Sequence, residues 1–170
     1  MTMRQANVDD FDVIYEFVKT AFKTAKDSDG TEQDFVLKLR AGDTYIPELE
    51  LVAIEDKEII GHIMFTKLKV TTDNGDYTGL LLAPLAVDLD HRKKGVGESL
   101  IYAGFEFARK HGYTSAFLAG NPKYYGRFGF KEIGEFDIEN KTSIPNEFVL
   151  GCEIVKDALK DIKGKIEYLE

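Results

Sequence analysis

Arg92-Lys93-Lys94-Gly95-Val96-Gly97 lies between the apolar run Leu80–Val87 and the amphipathic segment Glu98–Lys110. A strand that runs into a glycine-punctuated basic loop and then into a helix presents unpaired backbone N–H groups at the positive end of a helix dipole. Glycines let that backbone approach an oxyanion with no Cβ in the way. The segment therefore reads as a cradle for phosphate or pyrophosphate rather than for a metal or a neutral ligand.

Two nucleotide motifs can be tested against it. A dinucleotide fingerprint requires a third glycine three residues after Gly97, where Leu100 stands, and belongs to the first strand of a βαβ unit. A P-loop requires Gly-Lys-Ser/Thr, whereas Gly97 is followed by Glu98-Ser99. Neither fits. What remains is R-x-x-G-x-G in mid-chain, after a strand that contains Pro84. Downstream, Asn121-Pro122-Lys123-Tyr124-Tyr125-Gly126-Arg127-Phe128-Gly129-Phe130 sets Tyr125 four residues before a Gly. Together the two signatures resemble the GNAT superfamily of acetyl-coenzyme A dependent N-acetyltransferases, whose acyl-CoA motif reads Q/R-x-x-G-x-G/A. Leu51-Val52-Ala53, Gly61-His62-Ile63, Leu82–Val87 and Tyr124–Phe130 are similar to the YhbS-like subgroup of predicted acyltransferases within it. The resemblance covers nearly the whole chain and is strongest from Leu80 to Phe130. It implies an α/β (α+β) fold: a mixed, mostly antiparallel sheet with splayed central strands, flanked by helices, holding acyl-CoA in the slot between those strands.

Size and composition agree with one domain, residues 1–170. At 44% hydrophobic the chain is long enough to fold around one core without staples. The only cysteine, Cys152, excludes an intrachain disulfide framework and a thiolate-rich metal cluster, and fits a reducing, cytoplasmic setting. The N-terminus lacks a signal-peptide core, and no apolar stretch approaches the roughly 20 residues that span a bilayer, so a soluble protein without a membrane partner is expected. Twenty-two Lys and Arg against 30 Asp and Glu give net charge −8, which argues against a nucleic-acid partner.

Along the chain, Asn7 and Asp10 form a capping box ahead of a helix whose apolar face is Val13, Ile14, Phe17, Val18, Ala21 and Phe22. Asp27-Ser28-Asp29-Gly30 breaks it, a second helix runs from Thr31 through Arg40, and a loop ends at Pro47. Strands Leu49–Glu55, Ile59–Val70 and Tyr77–Val87, joined by turns at Asp56-Lys57 and Asp73–Asp76, form an antiparallel meander. Pro84 cannot donate a ladder hydrogen bond and belongs at a bulge or an unpaired edge. After the glycine loop comes a helix ended by His111-Gly112, then strand Tyr113–Ala119, a βαβ crossover that makes this part of the sheet parallel. Glu147–Val155 and Lys165–Leu169 read as further strands.

The resemblance distributes roles. The backbone of Arg92, Lys93, Lys94, Gly95, Val96, Gly97, Glu98 and Ser99 holds the pyrophosphate. The pantetheine arm pairs with Leu85-Ala86-Val87 like an added strand, one N–H serving as oxyanion donor, although the same residues would also suit a plain buried strand. Tyr125 matches the family's leaving-group acid; thiolate and phenol have reference pKa values within about two units, so the transfer costs little. Tyr124 packs against pantetheine. Asn121 is carried over as a pantetheine contact, although only Tyr124 is reached at the family's shorter spacing. A general base is missing, since Leu80-Leu81-Leu82 carries no carboxylate where many relatives place one. Glu48, Glu50, His62, Glu147 or a water chain remain as alternatives, and His91 reads as a loop residue. Cys152 has no His-acid pair nearby in sequence, so transfer is expected to be direct, in a ternary complex. No spacing suits a metal. The expected partners are acetyl-CoA and an amine acceptor, with a homodimer allowed. A non-catalytic acyl-CoA sensing module and a nucleotide-binding scaffold are the alternatives, and the acceptor's walls fall in Phe22–Thr31 and after Phe130.

Overall fold

A computed structural model describes residues 1–26 and 28–169. Asp27, expected to open the break after the first helix, lies outside the described residues. Asn7 starts that helix by the reciprocal cap: its Oδ1 accepts from the Asp9 N–H at 3.0 Å and Asp10 Oδ2 accepts from the Asn7 N–H at 2.8 Å. A single 3-10 turn, Val8–Asp10, leads into α1, Phe11–Ala21. Ile14, Val18 and Ala21 are its buried stripe, with Phe11, Phe17 and Phe22 packed beside them. Val13, expected on that face, is 54% exposed, because one residue before Ile14 is a rotation of about 100° away from the stripe. The second helix, α2, is Glu32–Ala41, and its Val36 and Leu39 pack on Met64.

The strands are β1 Thr2–Gln5, β2 Tyr45–Glu55, β3 Glu58–Thr72, β4 Gly75–Val87, β5 Ser115–Ala119, β6 Lys131–Glu132, β7 Ile138–Asn140, β8 Val149–Glu153 and β9 Gly164–Ile166. They pair in the order β1-β2-β3-β4-β5-β8-β6, with β9 on β3 and β7 on β9. Pairs β1/β2, β2/β3, β3/β9, β5/β8 and β6/β8 are antiparallel, while β4/β5 and β7/β9 are parallel. The parallel step follows from the crossover through α3, Val96–Lys110, between β4 and β5. At the β2–β3 turn Asp56 and Lys57 both take left-handed φ, 50° and 69°, the twist a two-residue hairpin needs.

Of three expectations about the strands, the first and the last are corrected. Pro47 does not close a loop but sits within β2, where the register skips between Tyr45 and Glu50 and the bulging residues need no ladder donor. β4 has neighbours on both sides, but its ladder with β5 ends before Pro84, which follows a cis Ala83–Pro84 bond, so the proline stands beyond that ladder on a locally unpaired flank. The parallel ladder pairs Leu80 with Ala116 and Leu81 with Phe117, and β4 then runs on past Pro84 to Val87. The last two strands are shorter than their apolar runs: β8 is Val149–Glu153, and β9 meets only Thr71 and Thr72 of β3 beside its ladder with β7.

The contacts divide the chain into two compact units, Met1–Thr66 with Ala83–Phe107, and Lys67–Leu82 with Ala108–Glu170. In the first, α3 lies directly on β3, since a Cβ on Gly104 would overlap the Phe65 ring. The second is centred on Phe117, with Gly79 and Gly151 against its ring. Among the described residues no helix is long and apolar enough to cross a membrane.

Candidate active site

In the first unit β4 ends at Val87, a 3-10 turn covers Leu89–His91, and Arg92–Gly95 leads into α3. The first bond of the helix runs from the Ser99 N–H to the Gly95 carbonyl at 3.0 Å. The N–H groups of Gly95, Val96, Gly97 and Glu98 therefore stand ahead of the ladder, at the positive end of the α3 dipole. Lys93 and Gly95 have left-handed φ, 61° and 81°, which turns the loop's amides in a way extended backbone would not. Lys93 and Lys94 are exposed, so their charges are screened by solvent, whereas Val96 and Gly97 are buried.

Two side chains fix this loop. Arg92 is not free to face a ligand: its Nη2 donates to the Ala21 carbonyl at 2.6 Å and its Nε to the Val87 carbonyl at 3.3 Å, tying the end of α1 to the end of β4. His91 lies between two carboxylates, Nδ1 at 2.7 Å from Asp88 Oδ2 and Nε2 at 2.9 Å from Glu55 Oε2. The hydrogen bond to Asp88 above all, with Glu55 adding to it, raises the imidazole above its ordinary pKa despite some desolvation. His91 is thus a strut between two carboxylates, held more readily protonated than a free imidazole.

The candidate bases separate cleanly. Glu48 and Glu147 are exposed, while Glu50 and His62 are fully buried. Glu50 Oε1 accepts from Arg40 Nε at 2.9 Å and the Tyr45 hydroxyl at 2.7 Å; its Oε2 accepts from Arg40 Nη2 at 2.6 Å and meets His62 Nε2 at 2.8 Å. Burial alone would raise the Glu50 pKa, but the hydrogen bonds from His62, Arg40 and Tyr45 outweigh it and bring it down to about 2. A carboxylate so saturated cannot take a proton from an amine near neutral pH. Arg40 and Tyr45 were not legible as its partners, since they reach it from α2 and from across the β2 bulge. Three buried atoms lack a partner among the described residues: Glu32 Oε2, His62 Nδ1 and Thr66 Oγ1.

In the second unit Asn121 caps the short helix α4, Pro122–Tyr125, its Oδ1 accepting from the Lys123 N–H at 2.9 Å. That oxygen is committed, which leaves only the amide N–H groups of Asn121 for a ligand. Gly129, at φ 93°, ends the following turn, and Phe130 returns its N–H to the Tyr125 carbonyl. The Tyr125 ring stands edge-on to Tyr124 at 4.9 Å and to Phe130 at 5.8 Å, and a Cβ on Gly120 would lie 2.7 Å from it. Burial, with a smaller contribution from Tyr124, pushes the Tyr125 phenol up, so it stays protonated, and its hydroxyl bonds to nothing among the described residues. Cys152 is buried, its thiol pushed up to about 11 mainly by desolvation. Among the described residues no group of His, Cys, Asp and Glu is arranged to hold a metal ion.

Comparison with known proteins adds three findings. The family described as acetyltransferase (GNAT) domain matches residues 2–133. An uncharacterized N-acetyltransferase of Escherichia coli strain K12, YhbS, is 31% identical over 123 residues, 72% of each chain, and another from that strain, YjhQ, is 35% identical over 100 residues, 59% of this chain and 55% of its own. Among solved structures, the GNAT family N-acetyltransferase YhbS from E. coli in complex with CoA superposes with TM-score 0.86 at 26% identity, covering 98% of this chain and 88% of that one. A GNAT family acetyltransferase from Brucella melitensis in complex with acetyl-CoA gives 0.78 at 25% identity, covering 98% and 94%.

Proposed function

Because the chain belongs to the GNAT acetyltransferase family, we propose that it transfers an acetyl group from acetyl-CoA to an amine by direct attack in a ternary complex, as one domain over residues 1–170. The observation that carries this is the row of amides ahead of the Ser99-to-Gly95 bond, a built anion site at the entry to α3. The pyrophosphate rests on the backbone of Arg92–Ser99. Leu85, Ala86 and Val87 offer the pantetheine arm a strand to pair with, and one of their N–H groups receives the developing oxyanion. Asn121 and Tyr124 bind along the same arm.

The acceptor nitrogen loses a proton to water, the neutral amine attacks the thioester carbon, and its second surplus proton also passes to water. The C–S bond breaks with the thiolate taking its proton from the Tyr125 hydroxyl, which solvent then re-protonates. Burial keeps that phenol neutral, as a donor must be, but also makes it a weaker acid than a free phenol. The transfer therefore costs little only where the same apolar surroundings destabilise the thiolate. An acyl-enzyme on Cys152 is disfavoured by the same physics, because a buried thiol held near 11 carries little thiolate at neutral pH. The lone buried cysteine also fits a reducing, cytoplasmic setting.

Thiol release from acetyl-CoA, followed with a panel of primary amines while both substrates are varied, tests the reading. Intersecting initial-velocity lines support a ternary complex and parallel lines a ping-pong route. Tight CoA binding with no release for any amine would favour the sensing module instead.

A further inference from the structure

The helix α2 lies along β3 in a fixed direction. Arg40 near its end bonds Glu50, which bonds His62; Val36 and Leu39 in its middle pack on Met64. Glu32, Val36 and Arg40 are spaced four apart and share one stripe of the helix, while His62, Met64 and Thr66 alternate onto one face of the strand. From Arg40 back to Glu32 the helix advances about 12 Å. From His62 to Thr66 the strand advances about 13 Å. Stripe and strand advance by similar lengths, so Glu32 and Thr66 both lie toward the end of the layer away from Arg40.

The two ends of this layer differ in chemistry. At the Arg40 end the carboxylate is satisfied by donors from three residues, and only the far ring nitrogen of His62, Nδ1, is buried there without a partner among the described residues. At the Glu32 end both polar atoms, Glu32 Oε2 and Thr66 Oγ1, are buried and unpartnered among the described residues. Leaving a buried polar group unpaired costs about 1–3 kcal/mol, more when it is charged. Two such acceptors toward one end of the layer suit a donor supplied from outside. Asp29, Gly30 and Thr31, just before Glu32, are exposed, so this end of the layer lies close to solvent.

We propose that Glu32 and Thr66 bind the primary ammonium group of the acceptor; this rests on the reading of the chain as an amine acetyltransferase. An –NH3⁺ group carries three donors and no acceptor. One N–H makes a charge-assisted bond to Glu32 Oε2 and a second goes to Thr66 Oγ1. A trimethylated ammonium has the same charge and no N–H, so the pair selects primary amines by hydrogen bonding and not by charge alone.

Calorimetric titration of the full chain with n-butylammonium chloride and with butyltrimethylammonium chloride, each with and without saturating CoA, tests this. The expected result is binding of n-butylammonium at least tenfold tighter than its trimethyl analogue, weakened tenfold or more in Glu32→Gln and several-fold in Thr66→Val, with CoA affinity unchanged within twofold. Glu32→Asp, which withdraws the oxygen by one carbon–carbon bond, weakens it too and covers the case of a poorly folded Glu32→Gln. Equal n-butylammonium affinity in the wild type and a folded Glu32→Gln overturns the site, as does no binding to a wild-type chain that takes up CoA normally. Glu32-dependent ammonium binding in a chain that fails to bind CoA leaves the site standing and removes the cofactor reading instead.

Discussion

Glu50→Gln separates structure from catalysis at the one buried carboxylate that the sequence offered as a base. Glu50 is held at about 2 against an ordinary 4.5. At about 1.4 kcal/mol per unit that corresponds to about 3 kcal/mol of stability. A depressed pKa contributes fully above the unfolded value and is lost as pH falls through the folded one, so the window runs from 4.5 down to about 2. The amide variant has no charge to titrate there. It also strands the guanidinium of Arg40, only 9% exposed, for which loss of a buried partner typically costs about 3–5 kcal/mol. The stacking of Arg40 on the Phe11 ring at 3.8 Å recovers a part of that. Urea denaturation followed by circular dichroism, repeated at intervals from neutral pH downward, should show the variant less stable at pH 7 and the gap closing by about 3 kcal/mol across the window. Parallel curves would refute the linkage. Acetyl transfer at a temperature where both proteins are folded should fall less than tenfold; a hundredfold loss in a folded variant would return Glu50 to the chemistry.

Other outcomes follow from the cradle, the tyrosine and the strut. Gly97→Val should weaken CoA binding by about tenfold or more, because it obstructs charge-assisted backbone bonds, whereas Lys93→Ala removes one exposed charge and should cost less than about fivefold; equal losses in calorimetry would count against a main-chain site. Tyr125→Phe should lower turnover by about 10²–10⁴-fold while acetyl-CoA affinity stays within a few-fold, and an unchanged rate at saturating amine would reduce Tyr125 to packing. His91 is held above its ordinary 6.5 by Asp88 and Glu55, so its contribution to stability is complete below that value and is lost as pH rises through the raised one. The stability gap between wild type and His91→Gln should therefore shrink above neutral pH, and a constant gap from about pH 6 to about 9 would rule out the imidazolium strut.

What was legible in the sequence is what is local in it. The Asn7–Asp10 cap, the Asp56-Lys57 turn and the crossover through α3 are each written within a few consecutive residues, and all three are present. β1 was missed because four residues are too few to show alternation, and only Met3 among them is even partly buried. β2 was begun too late because Pro47 signals a break, and only a partner strand reveals that the register skips there instead. Arg92 was read as a cradle residue through its backbone, and the motif is silent on its guanidinium, which reaches the Ala21 carbonyl, 71 residues away in sequence. The Glu50 cluster was beyond reach for the same reason: Arg40, Tyr45 and His62 come from three elements, and no short pattern joins them.

That contrast says where acceptor specificity is to be sought. A cofactor common to a whole family is met by a local device, a glycine loop before a helix, because a pyrophosphate asks only for backbone amides in a row. An acceptor that differs from one relative to another must be met by side chains, and the fold can supply these from any pair of elements that happen to converge. In this chain the converging pair is α2 and β3, which meet over one layer with a saturated carboxylate at one end and, at the other, a carboxylate with one oxygen buried and unpartnered among the described residues. The saturated end resists protonation down to about pH 2 and holds the layer together; the unpartnered end costs stability until a donor fills it. If that division holds, Glu32→Leu should stabilise the unliganded protein against urea, whereas Glu50→Leu should destabilise it. Two carboxylates of one layer giving the same sign would show that the missing partner of Glu32 is ordinary solvent and not a substrate.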